Sequence, residues 1–271
     1  MQENCCDSNS RPLWSQLNHL VVHKPLLRPQ HIAEIDRDGF VVIQSVFSTD
    51  VIDRLVEEVG IVAANEFTRR RAGKVFGIRN VLNVLPFARE LSNSPLIRSF
   101  VTPILGVNAK VVRGTYFDEP EEANWKVPWH QDLTIALRQR RNVAGYGPWS
   151  IKAGIPHVQP PVSILENILT VRLHLDHTDE WNGALRVRPG SHKYGRLNAG
   201  DIESWKQRPQ IIVSVAKGGV MLMRPLLLHA SSVAQNPQHR RVLHFDFSSS
   251  DLPDGLEWFD TDDKSKTFVT R

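Results

Sequence analysis

The sequence predicts a mainly β fold with flanking α-helices, a two-sheet jelly roll, and three observations predict it. From about Gly39 onward the 271-residue chain breaks into many short segments rich in β-branched and aromatic residues, parted by Gly, Pro, Asn and Asp turns. Helical periodicity is confined to the stretch before Gly106. No internal repeat or linker divides the chain, and its 41% hydrophobic content suffices for one large core.

Residues 1–28 are polar with scattered prolines and read as a mobile arm; the single domain is expected over 29–248. His31–Arg37 reads as a short helix and Gly39–Gln44 as a strand. Ser48, Thr49 and Asp50 offer N-caps to an amphipathic helix in which Ile52, Leu55, Val56, Val59, Val62 and Ala63 recur at helical spacing. The charge run Thr68–Lys74 reads as a solvated loop. Ile78–Leu85 looks extended, Pro95–Leu105 helical with a stop at Gly106, Ala109–Phe117 strand-like, and Thr134–Leu137 a short strand.

Arg138–Ser163 holds three glycines and four prolines, too long for an ordinary connection. Its Trp149, Tyr146 and His157 argue against disorder. Placed just after the motif at His130, it is expected to be a lid over an anionic small-molecule substrate, with Arg138, Tyr146 and Trp149 as candidate substrate contacts and Arg140 and Arg141 adding charge. In Ile168–Asp176, Leu169, Val171, Leu173 and Leu175 share one face, and Thr170, Arg172, His174 and Asp176 the other. The apolar face is expected to point into the barrel, leaving His174 and His244 on outer faces. Asn182-Gly183 marks a turn before a strand over Ala184–Arg188. Ile211–Ala216, Val220–Arg224, Leu226–Ser232 and Arg240–Phe247 complete the strands, and 249–271 reads as a charged tail.

Charged residues make up 23% and the net charge is +4, short of the basic stripe expected of a nucleic-acid binder. The two cysteines, Cys5 and Cys6, are adjacent and build no disulfide framework, which suits a reducing compartment. The start of the chain lacks a basic and then apolar leader, and no apolar run approaches the roughly 18 residues of a membrane helix. A cytoplasmic protein without nucleic-acid or membrane partners is the expectation.

The chemistry centres on Trp129-His130-Gln131-Asp132. On an extended backbone residues i and i+2 share a face, so His130 and Asp132 can aim at one point, two-thirds of a 2-His-1-carboxylate triad that suits non-haem Fe(II). The apolar run Leu226–Ser232 carries His229, and Arg240 follows eleven positions on, across a hairpin. An arginine meets a carboxylate with two parallel hydrogen bonds and keeps its proton. A dicarboxylate that binds iron at one end and Arg240 at the other describes 2-oxoglutarate.

These stretches, with Pro128–Leu133, Asn182–Lys193 (NGALRVRPGSHK), His229-Ala230-Ser231 and Arg240, resemble the phytanoyl-CoA dioxygenase family of Fe(II)/2-oxoglutarate oxygenases over about Asp38–Phe247. Ala230 stands where the family often has glycine. The resemblance implies a double-stranded β-helix of the cupin kind, with Fe(II) at His130, Asp132 and His229. It further implies 2-oxoglutarate held by Arg240 and Ser231, with Gln131, Thr115, Asn80 and Leu169 also at the cosubstrate, and O2 as oxidant. Because Asp132 supplies the carboxylate that halogenases of similar fold lack, it implies hydroxylation. A cupin-like metalloenzyme that does not use 2-oxoglutarate would keep the ligands without needing Arg240, and a non-catalytic jelly-roll binding module would need neither.

Overall fold

Most of the expected strands pair into antiparallel sheets in the computed structural model, which describes residues 27–62, 68–71, 74–118, 126–236 and 238–260. The chain opens with α1 (Pro29–Asp38), β1 (Phe40–Ile43), α2 (Thr49–Ile61), β2 (Thr68–Arg71) and β3 (Lys74–Ile78). Three helices follow, α3 (Val81–Val84), α4 (Pro86–Ser92) and α5 (Pro95–Leu105), before β4 (Lys110–Phe117), β5 (Val127–His130), β6 (Ile135–Ala136), β7 (Trp149–Lys152) and β8 (Ile155–Val158). After α6 (Val162–Glu166) come β9 (Ile168–His174), β10 (Leu185–Val187), α7 (Ala199–Lys206), β11 (Ile211–Ile212), β12 (Val220–Met223), β13 (His229–Ser231) and β14 (Val242–Ser248).

The large sheet runs β1-β12-β9-β14-β4-β3-β2 and the smaller one β11-β10-β13-β5, as a two-sheet jelly roll requires. The helices begin and end where local chemistry dictates. Ser94 accepts a hydrogen bond from the Ile97 N–H ahead of Pro95 in α5. Gly39 ends α1 at φ +86°, and a Cβ there would fall 2.5 Å from the His192 ring, so glycine is needed for conformation and for close approach.

The helices pack on the outer face of the large sheet. Ile52, Leu55, Ile97 and Phe100 meet Leu169, Val171, Leu173, Leu243, Phe245 and Phe247 in the principal core. This reverses the expected orientation of β9. Its apolar face turns outward to the helices, while Arg172 and His174 line the space between the sheets, as does His244 on β14. Helices with apolar stripes offer large buried area, and a polar interior can be kept hydrated or filled by a polar ligand.

A second core corrects a further expectation. Segment 138–163 contains the hairpin β7–β8, which pairs with β6 in a three-stranded sheet. Tyr146, Val158, Leu165, Leu137, Leu256 and Trp258 bury together there. Residues 249–260 are thus packed and not a tail: Arg138 N–H donates to Glu257 O at 3.0 Å and Phe259 N–H to Ala136 O at 3.1 Å. Their pairing is too short to show as periodicity. Thr68–Arg71 is a strand where a loop was expected, and 81–84 is helical where an extended chain was expected. The arm over 1–26 and residues 261–271 lie outside the described residues. No helix among the described residues is long and apolar enough to cross a membrane.

Candidate metal centre and adjoining cavities

Register sets the centre. His130 on β5 and His229 on β13 are direct cross-strand partners, with ring centroids 4.3 Å apart. Each ring is fixed by its own strand: His130 Nδ1–H donates to Pro128 O at 2.8 Å, and His229 Nδ1–H to Leu227 O at 2.8 Å. That hydrogen bond selects the tautomer and leaves Nε2 bare, as a metal ligand must be. Asp132 lies just past β5, tied down by its N–H to Pro225 O at 2.9 Å, with Oδ2 3.9 Å from His229 Nε2. One donor atom from each of the three residues lies within 4.8 Å of the others. Burial pushes the His229 imidazole down to about 4, so it is neutral at ordinary pH. Burial alone would raise the Asp132 carboxyl, but His229, His244, Arg113 and His130 outweigh it and hold the group below its usual value. Two imidazoles that turn Nε2 to one point and one carboxylate fit a divalent cation and leave coordination positions open.

A cavity of about 200 Å³ runs from this trio between the sheets, with Arg172, His174, Ser231, Arg240 and His244 among its walls. Burial lowers both Arg172 and Arg240 to about 10, which leaves them cationic at neutral pH. Arg113 is matched by Asp246, Nε to Oδ2 at 2.8 Å. Asp246 also accepts from Thr170 Oγ1 at 2.7 Å and bonds His244 Nε2 at 2.9 Å. Arg172 Nε, His174 Nε2 and His244 Nδ1 are buried without hydrogen-bond partners among the described residues. Such a donor-rich, cationic space suits an anion with several oxygens. The turn glycine Gly183 makes room for Arg240: a Cβ there, at φ +81°, would sit 2.9 Å from Ser232 O and 3.1 Å from Arg240 Nη1.

A second cavity, about 130 Å³, shares Asp132, Arg113 and Phe117 with the first and is otherwise walled by Arg79, Thr115, Thr134, Lys152, His157 and Asp260 among others.

The residues named from sequence divide accordingly. His130, Asp132, His229, Ser231 and Arg240 come together in the first cavity. Thr115 lines the second instead. Leu169 is buried against the helices. Gln131 is consumed by backbone: its amide donates to Gly195 O and Leu226 O, and its oxygen accepts from Leu197 N–H. Asn80 is the buried N-cap position of α3 and lines neither cavity. Arg138 turns to Glu257 at 3.1 Å. Tyr146 and Trp149 pack in the second core, Trp149 beneath Arg140. A hydrophobic cluster claims the aromatics, so none of the three proposed substrate contacts reaches the centre. Arg172, His174 and His244 were missed for the cavity because the strand's polar face was assigned outward; the signal was there in an Arg and two His at inward-competent alternate positions.

The model of the family described as Phytanoyl-CoA dioxygenase (PhyH) matches residues 35–242. The chain is 24% identical over 250 residues to the protein named Phytanoyl-CoA dioxygenase, peroxisomal, of Mus musculus, covering 80% of this chain and 67% of that protein. Among solved structures, EctD from S. alaskensis with bound Fe shares the fold at a TM-score of 0.65 and 17% identity, covering 86% of this chain and 82% of that one. The same protein with 2-oxoglutarate and 5-hydroxyectoine gives a TM-score of 0.64 at 17% identity, over 84% and 80% of the two chains.

Proposed function

The chain belongs to the phytanoyl-CoA dioxygenase family, and from that premise we propose that His130, Asp132 and His229 hold its Fe(II), that Arg240 and Ser231 hold 2-oxoglutarate, and that it hydroxylates a small molecule. As a family member it is an Fe(II)- and 2-oxoglutarate-dependent dioxygenase. The observation that carries the site assignment is that the trio, Ser231 and Arg240 all line one cavity. The bound iron and cosubstrate supply an oxidative decarboxylation, R–H + 2-oxoglutarate + O2 giving R–OH + succinate + CO2. The chain supplies the rest. His130 and His229 present bare Nε2 atoms, Asp132 adds the anionic ligand, and Arg240 matches the distal carboxylate with a fixed cation. Arg172 adds a donor along the same wall, and His244, whose Nε2–H is taken by Asp246, turns Nδ1 to it.

The substrate reading is a small molecule, as 5-hydroxyectoine is in the EctD structure by its description. Its anionic character, first expected from Arg138, Arg140 and Arg141, is better supported by Arg79 and Lys152 beside Asp132. Segment 138–163 serves as a wall of that second cavity through Lys152, Ile155 and His157. A cytoplasmic setting belongs to the same reading, resting on the adjacent Cys5 and Cys6.

Anaerobic titration with Fe(II) and 2-oxoglutarate tests the assignment. The parent should develop a visible charge-transfer band that needs both. His130→Ala and Asp132→Ala should lose the band and all substrate-driven succinate while melting near the parent temperature, since ligands at an open site do not build the core. Normal succinate formation by either variant sinks the triad.

A further inference from the structure

We propose that the second cavity seats the primary substrate and that it takes a small carboxylic acid bearing a hydroxyl or amino group, with Lys152 holding the carboxylate and His157 accepting the hydrogen bond from the hydroxyl or amino group. The chemistry of this inference rests on the oxygenase reading; the binding site itself does not.

Position comes first. The cosubstrate assigned to Ser231 and Arg240 uses the larger cavity. The second opens on the same Asp132, so a molecule there lies beside the metal ligands without displacing that cosubstrate.

Charge comes next. Lys152, half-buried at the end of β7, donates from Nζ to Thr134 Oγ1 at 3.1 Å and forms no ion pair with a carboxylate among the described residues. The neighbouring cations differ: Arg113 has Asp246 and Arg138 has Glu257. Burial, then Arg113 and Arg79, push the Lys152 ammonium down, and of the nearby acids Asp132 opposes them. The other acid in the wall, Asp260, accepts the Gly114 N–H at 3.1 Å. An ammonium fixed by a hydroxyl and faced by two guanidinium groups is stabilised by an incoming anion.

His157 adds the second point of recognition. Its Nδ1–H donates to Ile155 O at 2.9 Å, the same two-residue arrangement that fixes the metal-facing histidines, so Nε2 remains an acceptor. Burial lowers the ring to about 4, which keeps it neutral and unable to donate there. An acceptor of this kind favours a substrate O–H or N–H over a second carboxylate.

Size and polarity narrow the class further. A volume of about 130 Å³ is close to the roughly 150 Å³ that admits one benzene. With Arg79, Thr115, Thr134, Lys152 and His157 in the wall, it disfavours a long acyl chain and suits an acid of about six heavy atoms.

The test is calorimetric and anaerobic, on the full chain loaded with Fe(II) and 2-oxoglutarate. The probes are 2-hydroxy and 2-amino acids of graded size, their methyl esters, and phosphorylated counterparts. At least one free acid should bind, with its ester weaker by roughly tenfold or more. Lys152→Met should weaken the acid by about the same factor and leave the ester alone, and Lys152→Arg should restore most of the loss. Admitted to air, the same acid should raise succinate formation. The proposal is overturned if acid and ester bind alike, if the phosphorylated compounds alone bind, if no acid binds, or if Lys152→Met and Lys152→Arg both leave the acid's affinity at the parent value. If the parent gives no Fe(II)/2-oxoglutarate band, the oxygenase reading falls instead. The same panel titrated against the metal-free chain then decides the site: dependence on Lys152 upholds it and independence ends it.

Discussion

Arg240 and Arg241 are adjacent, yet they serve opposite faces of the chain. Arg240 lines the larger cavity, while Arg241 grips Asp176 with two hydrogen bonds of 2.8 and 2.7 Å and adds its backbone N–H to the same carboxylate at 2.9 Å. Arg240→Ala should weaken 2-oxoglutarate by about 2–5 kcal/mol, or roughly 30- to 5000-fold, because a buried bidentate partner is lost. Arg241→Ala should leave that affinity alone and lower stability by about 1–3 kcal/mol, because Asp176 keeps its charge without its main partner. Anaerobic cosubstrate titration paired with urea melts separates the two. Impaired binding in Arg241→Ala with normal binding in Arg240→Ala would place the cosubstrate on the other face. The residues brought together at the centre were legible because their signals are local: His130 and Asp132 lie two apart, and Arg240 follows His229 by eleven positions, although the expected hairpin is not formed, since β13 pairs with β10 and β5 in one sheet and β14 with β4 and β9 in the other. Gln131 was not, because the backbone that occupies its amide at Gly195, Leu197 and Leu226 is remote in sequence.

Among the elements, existence was easier to read than orientation. Alternation in β9 defines two faces but not which of them meets the core; α2 and α5 decide that by offering Ile52, Leu55, Ile97 and Phe100 to the apolar side. The same ambiguity hid the second core. Residues 249–260 pair with other segments only one or two residues at a time, so no period of 2 or 3.6 arises, yet Trp258 and Leu256 are buried and Trp258 Nε1 donates to Ser250 O at 3.1 Å. Trp258→Ala should therefore cost about 3–5 kcal/mol, as deletion of a buried tryptophan from a packed core does. Because β6 and the wall carrying Lys152 and His157 rest on this cluster, the variant should also bind substrate more weakly than its stability loss alone explains. A urea midpoint within experimental error of the parent would show that the segment merely lies against the surface.

Taken whole, the molecule keeps an unusually polar interior between its sheets, and that interior makes its stability depend on pH in a defined direction. His157 is held down to about 4 by burial, and His174 is held well below its usual value by burial and by Arg172 and His177. Both are neutral when folded and take up protons near their ordinary value of about 6.5 when unfolded. Between those limits the unfolded chain binds more protons, so stability rises with pH: it is complete above about 6.5 and is lost as pH falls toward 4. Asp246 is held down as well, but it acts in a lower pH window. Arg113, His244 and Thr170 outweigh the upward push of burial and hold its carboxyl far below the usual range. Its contribution is present above about 4 and is lost only below that, so it stays constant through the window in which the histidines act. Metal-free protein should accordingly lose roughly 1–2 kcal/mol per buried histidine between pH 7 and 5. Thermal melting across that range should fall steadily toward pH 5, and His174→Gln, which cannot take up a proton, should flatten the slope. A melting temperature that is level from pH 7 to 5 would mean that the imidazoles between the sheets and beside the second cavity are protonated as readily in the fold as in water, and the acceptor role assigned to His157 would fail with it.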